Sequence, residues 1–143
     1  MAVVAVFNSS QDTVELLQVL LQREGWSTVA GHIDDLERGR LDLVRFVEQH
    51  RPAVVVSDVA MPYADNWAFL RLVRDSAALR DVPFVATTTN KPALEQLVGP
   101  ETAGVIEIVG KPSELDRVVE AVHRAIGRAP GPGAPPMARP EGP

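Results

Sequence analysis

Residues 53–58 read Ala-Val-Val-Val-Ser-Asp, an apolar run that ends at an acid. Buried parallel strands carry runs of this kind, because helices cover both faces of a parallel sheet. In open α/β folds the carboxyl ends of such strands meet the loops that hold the functional residues. The stretch therefore predicts a buried parallel strand with Asp58 at its functional end.

Four further apolar or β-branched runs alternate with helical patterns, which is typical of repeated βα units. The five strands are expected at about 2–7, 27–31, 53–57, 83–88 and 105–109. The chain of 143 residues is long enough for one domain with its own core. The sequence thus predicts a single α/β domain built on a doubly wound, five-stranded parallel sheet.

The helices between these strands are predicted from apolar residues at helical spacing. The first is expected to begin at Asp12, with Glu15 reaching back in a capping box. Its apolar face would hold Val14, Leu17 and Leu21, with Leu16 and Leu20 beside them. A second helix is expected over about 35–50, around Leu43, Phe46 and Val47, although Gly39 leaves its start open.

The later helices differ in how clearly the sequence specifies them. A helix over about 66–75 would bury Trp67, Leu70 and Val73. Only about two turns fit around Leu94 and Leu97, because Pro92, Gly99 and Pro100 flank them. The last helix is expected to start at the N-cap Ser113 and to stop at Gly127, with an apolar stripe of Leu115, Val118, Val119, Val122 and Ile126.

Composition narrows the class of protein. The absence of cysteine excludes disulfides and thiolate metal sites, and the net charge of −5 argues against general affinity for nucleic acid. No apolar stretch approaches the ~20 residues of a membrane span, and the N-terminus lacks the charged flank of a signal peptide. We therefore expect a soluble, cytoplasmic protein. Residues 129–143 hold six prolines and three glycines, which predicts a disordered tail after a domain at 1–128.

Three landmarks in this order indicate a family. Residues 54–66 place Met61-Pro62 and then Asp65-Asn66 after Asp58, Thr88 closes the fourth strand, and Lys111-Pro112 closes the fifth. This pattern resembles the receiver domains of two-component response regulators over roughly residues 2–127. The resemblance implies a flavodoxin-like (βα)5 fold and a place in phosphorelay signal transduction.

The resemblance also implies a role for each landmark. Asp58 would be the phosphoacceptor, Lys111 would reach its carboxylate and the phosphoryl group, and Thr88 would be the hydroxyl that turns inward after modification. Asp58 and the carbonyl of Ala60 would be magnesium ligands. The choice of Thr88 over Thr87 depends on aligning Pro83 with the proline that the family usually has there.

Two departures from the family pattern weigh against that chemistry. The two acids that usually follow the first strand and hold magnesium are replaced by Asn8 and Ser9. Magnesium prefers anionic oxygen ligands, so weak binding or none is expected. Ile108 occupies the position of the usual aromatic partner of the switch residue, and Asn66 occupies the position of the customary glycine.

Simpler explanations exist for each candidate residue. An acid after a strand often caps a turn or helix, a lone lysine is usually a surface residue, and β-branched Thr87 and Thr88 suit a strand end. Trp67 is expected in the core, with a partner anchor as the alternative. The single histidines His32, His50 and His123 share no metal-ligand spacing and are expected at the solvated surface.

Two functions follow from these residues, neither of them enzymatic. One is a receiver-fold interaction module in which phosphorylation of Asp58 is impaired or lost, and we favour it because Asn8 and Ser9 replace the acids. The other is a single-domain response regulator that accepts a phosphoryl group on Asp58. An enzyme of another kind on this fold is a distant third.

The resemblance also implies partners and a contact surface. The partners would be a sensor histidine kinase, a phosphotransfer protein or another signalling protein. They would bind at the face formed by the fourth helix, the fifth strand and the last helix, and the same face is the candidate homodimer interface.

Overall fold

A computed structural model describes residues 2–8, 10–39, 41–108 and 112–128, and for Glu37, Pro112, Ser113 and Arg128 it describes the backbone alone. Ser9, Lys111 and the predicted tail 129–143 lie outside the described residues. The elements in chain order are β1 (Val3–Asn8), α1 (Gln11–Arg23), β2 (Ser27–His32), α2 (Ile33–Glu37), α3 (Leu43–His50), β3 (Val54–Val59), α4 (Tyr63–Arg74), β4 (Phe84–Thr88), α5 (Lys91–Val98), a 3₁₀ turn (Gly99–Thr102), β5 (Ile106–Glu107) and α6 (Pro112–Arg128).

The five strands form one parallel sheet in the order β2-β1-β3-β4-β5. This is the doubly wound, flavodoxin-like order, and it confirms the predicted α/β fold. Helices cover both faces, which explains why the central strands are apolar on both sides. Asp58 lies one residue before the end of β3, so the strand continues two residues past its expected end at 57.

Each face of the sheet has its own apolar core. On one face α1 and α6 pack against the strands through Val14, Leu17, Leu21, Val118 and Val122. On the other face the core residues of α3, α4 and α5 are Phe46, Trp67, Leu70, Val73 and Leu94. Trp67 is therefore a core residue, as predicted, and its indole Nε1 donates to Glu101 Oε1 at 3.2 Å.

The first helix begins earlier than predicted. Its N-cap is Ser10, whose Oγ accepts a hydrogen bond from the amide of Thr13 at 3.3 Å. Asp12 is therefore in the first turn, where its charge favours the helix dipole without capping it. Glu15 accepts from Gln11 Nε2 at 3.1 Å in place of the expected capping box.

The predicted helix over 35–50 is two helices. Gly39 has a left-handed φ of +75° just after α2, which interrupts the helical path. The chain re-enters a helix at α3, where Asp42 Oδ1 accepts from the amide of Arg45 at 3.2 Å as the N-cap. Phe46 is buried from α3, as the apolar spacing indicated.

The ends of the last two βα units also differ from expectation. Leu97 is 59% exposed, because α5 is short and buries only Leu94. β5 is only two residues long, against five expected. Helix α6 begins at Pro112, whose fixed φ suits the first helical position, so Ser113 lies inside the first turn. Gly127 does not stop the helix, since its cost of about 1 kcal/mol is small beside the packing of the apolar stripe.

Candidate functional site

Asp58 lies near the carboxyl end of β3 and is in register with Thr87 of β4. The Thr87 hydroxyl donates to Asp58 Oδ1 at 2.9 Å, and Thr87 is almost fully buried. Side chains that are opposite each other on parallel strands project from the same face of the sheet. The strand register therefore supplies the hydroxyl that contacts the acid.

Thr88, the predicted switch hydroxyl, does not contact Asp58 in this structure. Its Oγ1 donates to the backbone carbonyl of Val59 at 2.8 Å, and the side chain is completely buried. Successive side chains on a strand point to opposite faces, and in this structure it is Thr87 that projects toward the acid. In the unmodified chain the contact with Asp58 therefore belongs to Thr87, and the inward turn of Thr88 after modification stays a prediction.

Burial raises the pKa of the Asp58 carboxyl above its usual range, and the hydrogen bond from Thr87 acts in the opposite direction. A small cavity of about 20 Å³, room for one water molecule, lies beside the carboxyl. Its lining is mostly apolar and includes Phe7, Phe69 and Leu70 together with Asp58. This apolar wall disfavours the charged form of the acid.

Asn8 ends β1 and is buried, with 4% of its surface exposed. Its side-chain Oδ1 accepts a hydrogen bond from the backbone amide of Ser10 at 2.8 Å. Asparagine side chains commonly bind the backbone two residues on in this way. The carboxamide oxygen at the expected metal position therefore already holds the turn into α1.

The carbonyl of Ala60 is also engaged. Asn66 Nδ2 donates to the Ala60 oxygen at 2.7 Å, from the first turn of α4. The sequence indicated Asn66 only as a substitute for glycine, and its role as a hydrogen-bond donor was missed. Its spacing of six residues from Ala60 gives no local signal, because the contact depends on the path of the loop between them.

The described residues do not fit a magnesium ion well. Asp58 is the acid that the resemblance assigns to the site, and the neutral oxygens of Asn8 and Ala60 each accept a hydrogen bond from the protein. Within the described ranges no three side chains of His, Cys, Asp or Glu come together as a metal site. Magnesium usually takes one or two carboxylates and demands near-octahedral oxygen geometry.

Ile108 is partly buried against the core, and its amide donates to the Thr88 carbonyl at 2.8 Å. It offers only an aliphatic side chain beside β4. Lys111 and Ser9 lie outside the described residues, so their places in the site stay predictions.

The histidines have structural contacts. His32 Nδ1 accepts from the amide of Asp34 at 3.3 Å at the start of α2, and the ring of His50 lies 4.7 Å from that of Phe46. His123 Nε2 lies 2.6 Å from Glu24 Oε1, and the His123 ring lies 4.5 Å from the Trp26 ring at a tilted angle of 58°. His123 is exposed as predicted, whereas His32 and His50 are partly buried.

In the part of the chain that is described, no helix combines the length and hydropathy of a bilayer-spanning segment.

Comparison with known proteins supports the class that the fold suggests. No protein-family model matches the chain. The response regulator Rre1 of a Synechocystis species is 28% identical over 94 residues, which are 66% of this chain but only 40% of that relative. The polar-differentiation response regulator DivK of Brucella anthropi is 21% identical over 128 residues, covering 88% of this chain and 97% of DivK.

Solved structures agree on the fold. The chemotaxis protein CheY4 of Vibrio cholerae superposes with a TM-score of 0.57 at 22% identity, covering 85% of this chain and 98% of that one. A structure described as a transiently phosphorylated switch in bacterial signal transduction gives a TM-score of 0.62 at 23% identity, over 90% and 96% of the two chains. The chain is therefore similar in sequence to proteins named response regulators, and it shares the fold of these solved structures.

Proposed function

We propose that this chain is an atypical receiver module of two-component-type signalling that acts through protein contacts, with phosphorylation of Asp58 impaired or absent. The observation that carries the proposal is that the two neutral oxygens at the expected metal site, those of Asn8 and Ala60, each accept a hydrogen bond from the protein. Asn8 Oδ1 is bound by the Ser10 amide, and the Ala60 carbonyl is bound by Asn66. A metal ion would have to share both neutral oxygens with these hydrogen bonds, and it would gain a single carboxylate, Asp58.

Charge explains why the loss of metal matters. Phosphoryl transfer to a carboxylate brings two anionic groups together, and metal ions normally neutralise the charge that develops. In the transfer step an Asp58 oxygen would bond to phosphorus while the bond from phosphorus to the donor breaks. Without a cation that step loses most of its electrostatic stabilisation, because Asn8 contributes no charge.

The readout of phosphorylation is weakened as well. For Thr88 to turn toward Asp58, its buried hydroxyl would have to leave the Val59 carbonyl. Leaving a buried acceptor unsatisfied costs about 1–3 kcal/mol. The usual aromatic partner is replaced by Ile108, which gives little differential energy between two switch states.

The same resemblance supports the partners and the surface. The partner would be a sensor histidine kinase, a phosphotransfer protein or another signalling protein in the cytoplasm. Contact through α5, β5 and α6 would serve that partner, with a homodimer through the same face as the alternative. Exposed charges on α6, such as Arg117, are suited to set the specificity of such a surface.

A phosphorylation-competent response regulator is the second candidate. It is favoured by the position of Asp58 at the carboxyl end of β3 with a hydroxyl 2.9 Å away, and by relatives that are named response regulators. In that case Lys111 would bind the phosphoryl oxygens and Thr87 or Thr88 would supply the hydroxyl.

Intact-mass measurement after incubation with Mg²⁺ and acetyl phosphate separates these candidates. We expect wild type to gain no phosphoryl group, and the variant Asn8→Asp/Ser9→Asp to gain one on Asp58. The same double variant with Asp58→Ala is the control for the acceptor. Stoichiometric phosphorylation of wild type on Asp58 would overturn the proposal.

Measurement of partner binding is a second test of the proposed function. Binding to a cognate histidine kinase should be the same for wild type and Asp58→Ala, and weaker for Arg117→Glu on α6. Arg45→Glu on α3 is a matched charge reversal away from the proposed face. Loss of binding or signalling in Asp58→Ala with the fold intact would favour the phosphorylated switch instead.

A further inference from the structure

A second candidate site lies at the amino end of β4, whereas Asp58 lies near the carboxyl end of β3. A groove of about 560 Å³ is formed by the segment that leads into β4, the first residues of β4, Gly104 and the second half of α6. We call it the β4-edge groove. Phe84 is the one described residue that lines both this groove and the cavity beside Asp58.

The groove follows a strand edge that has no partner strand among the described residues. β4 pairs with β3 from Phe84 onward, but it pairs with β5 only at Thr87 and Thr88. Since β5 has two residues, the first three residues of β4 (84–86) have no strand beside them on that side within the described chain. An unpaired edge offers backbone donors and acceptors that can pair with another extended segment.

Two cations flank this edge. The side chains of Arg80 and Arg124 line the groove and belong to exposed residues. Within the described residues, carboxylates pair with Arg38, Arg71, Arg74 and His123, but neither lining arginine has such a partner. Asp81 also lines the groove, so its charged residues sum to one positive charge in a chain whose net charge is −5.

The groove has room for the side chains of an added strand. Its α6 wall presents Ala121 and Ala125, which are small, and a Cβ added at Gly104 would meet no atom within 4 Å. The volume is within the range of about 300–1,000 Å³ that is usual for binding pockets. A few residues of extended peptide are the size of ligand that this space suits.

We propose that the β4-edge groove binds an extended acidic segment of a partner protein, which adds to β4 as a strand and places carboxylates against Arg80 and Arg124. Strand addition derives its affinity from main-chain hydrogen bonds and its specificity from side-chain pockets. Guanidinium groups bind carboxylates in a bidentate way, which explains a preference for acidic residues. The chain's own residues 129–143 suit the edge poorly, because their six prolines carry no N–H donor.

The probe is a fluorescein-labelled peptide of three Asp-Val repeats, titrated with the full chain and followed by anisotropy. Matched peptides carry Lys in place of Asp, or N-methyl groups on the amides that would pair with β4. We expect the Asp-Val peptide to bind and to shift the amide resonances of Phe84, Ala86 and Gly104. The Lys-Val and N-methylated peptides should each bind at least about tenfold more weakly.

Variants locate the contact. Arg80→Glu/Arg124→Glu should weaken Asp-Val binding at least about tenfold, whereas Arg45→Glu on α3 should leave it unchanged. Melting temperatures and amide spectra check that each variant is folded. The proposal is overturned if the Asp-Val and Lys-Val peptides bind equally or neither binds. It is also overturned if the groove amides respond to protein concentration alone, which would show a second copy of the chain at this edge.

Discussion

The hydroxyl of Thr87 donates to Asp58 Oδ1 across 2.9 Å, so the acid at the end of β3 has its hydroxyl partner on the adjacent strand. The neighbouring hydroxyl, Thr88, is directed instead to the Val59 carbonyl. The two threonines therefore make separable contributions, one to the electrostatics of the site and one to the buried backbone.

Replacing each threonine tests that separation. Thr87→Val should raise the pKa of Asp58 further, because a hydrogen bond to the charged form is lost. Thr88→Val should leave that pKa unchanged and lower the free energy of unfolding by about 1–3 kcal/mol, because the Val59 carbonyl loses its donor. Carboxyl ¹³C titration measures the pKa and urea denaturation the stability. An equal effect of both variants on Asp58 would show that the assignment of the hydroxyls is wrong.

The buried carboxyl also predicts a pH dependence of stability. The folded pKa of Asp58 is raised by burial, so the native state binds this proton more tightly than the unfolded chain does. The contribution of this proton to the free energy of unfolding is fully present below the unfolded pKa of about 3.9 and is lost as pH rises through the folded pKa. Asp58→Asn removes that loss, so the stability of this variant relative to wild type should increase as pH rises from about 4 through the folded pKa of Asp58.

Denaturant midpoints of wild type and Asp58→Asn across this range check the prediction. A variant that becomes less stable than wild type as pH rises would contradict it, and would indicate that Lys111 forms a close ion pair with Asp58. A double-mutant cycle with Lys111→Ala measures that coupling directly.

Gly31 on β2 has no room for a side chain, because Phe7 and Leu41 lie close to its Cα. A Cβ at this position would lie 2.5 Å from Phe7 Cε1 and 2.9 Å from Leu41 Cδ2. Gly31→Ala should therefore lower the free energy of unfolding by about 1–3 kcal/mol through overpacking. Gly127→Ala is the control, because it meets no atom within 4 Å and should raise helix stability by up to about 1 kcal/mol. Two variants of equal stability in thermal denaturation would refute the role assigned to the contact with Phe7.

The segment 129–143 should be dispensable for folding. Its six prolines and three glycines leave it little apolar surface to bury, so its deletion should not change the melting temperature. Calorimetry of the full chain and the chain ending at 128 measures this. A lower melting temperature for the shorter chain would indicate that the tail packs against the domain.

The sheet was predictable because its signal is local. The apolar runs at β1, β3 and β4 and the stripe on α6 are visible in the sequence without knowledge of their neighbours. The split between α2 and α3 was harder to predict from the sequence. The apolar spacing suggested one continuous helix, and only the structure shows that Gly39 interrupts it with a positive φ. The short β5 could not be predicted, since strand length there depends on pairing with β4.

The place of Asp58 near the end of β3 was predictable, but its contacts were not. Asp58 was identified from the run that precedes it, whereas its partner Thr87 depends on the register between β3 and β4. The hydrogen bond from Asn66 to Ala60 depends on how the loop after β3 turns into α4. Neither relationship has a signature in sequence spacing.

The most direct test of metal-independent function is titration with Mg²⁺ and beryllofluoride, an analogue of the phosphoryl group, monitored by the amide resonances of Asn8, Asp58 and Ala60. The control is Asn8→Asp/Ser9→Asp, which restores two carboxylates to the site. We predict no saturable change in wild type at millimolar Mg²⁺ and a saturable change in the restored variant, because only the latter adds two carboxylates to that of Asp58. Saturable binding by wild type, localised to these three amides, would contradict the proposed function.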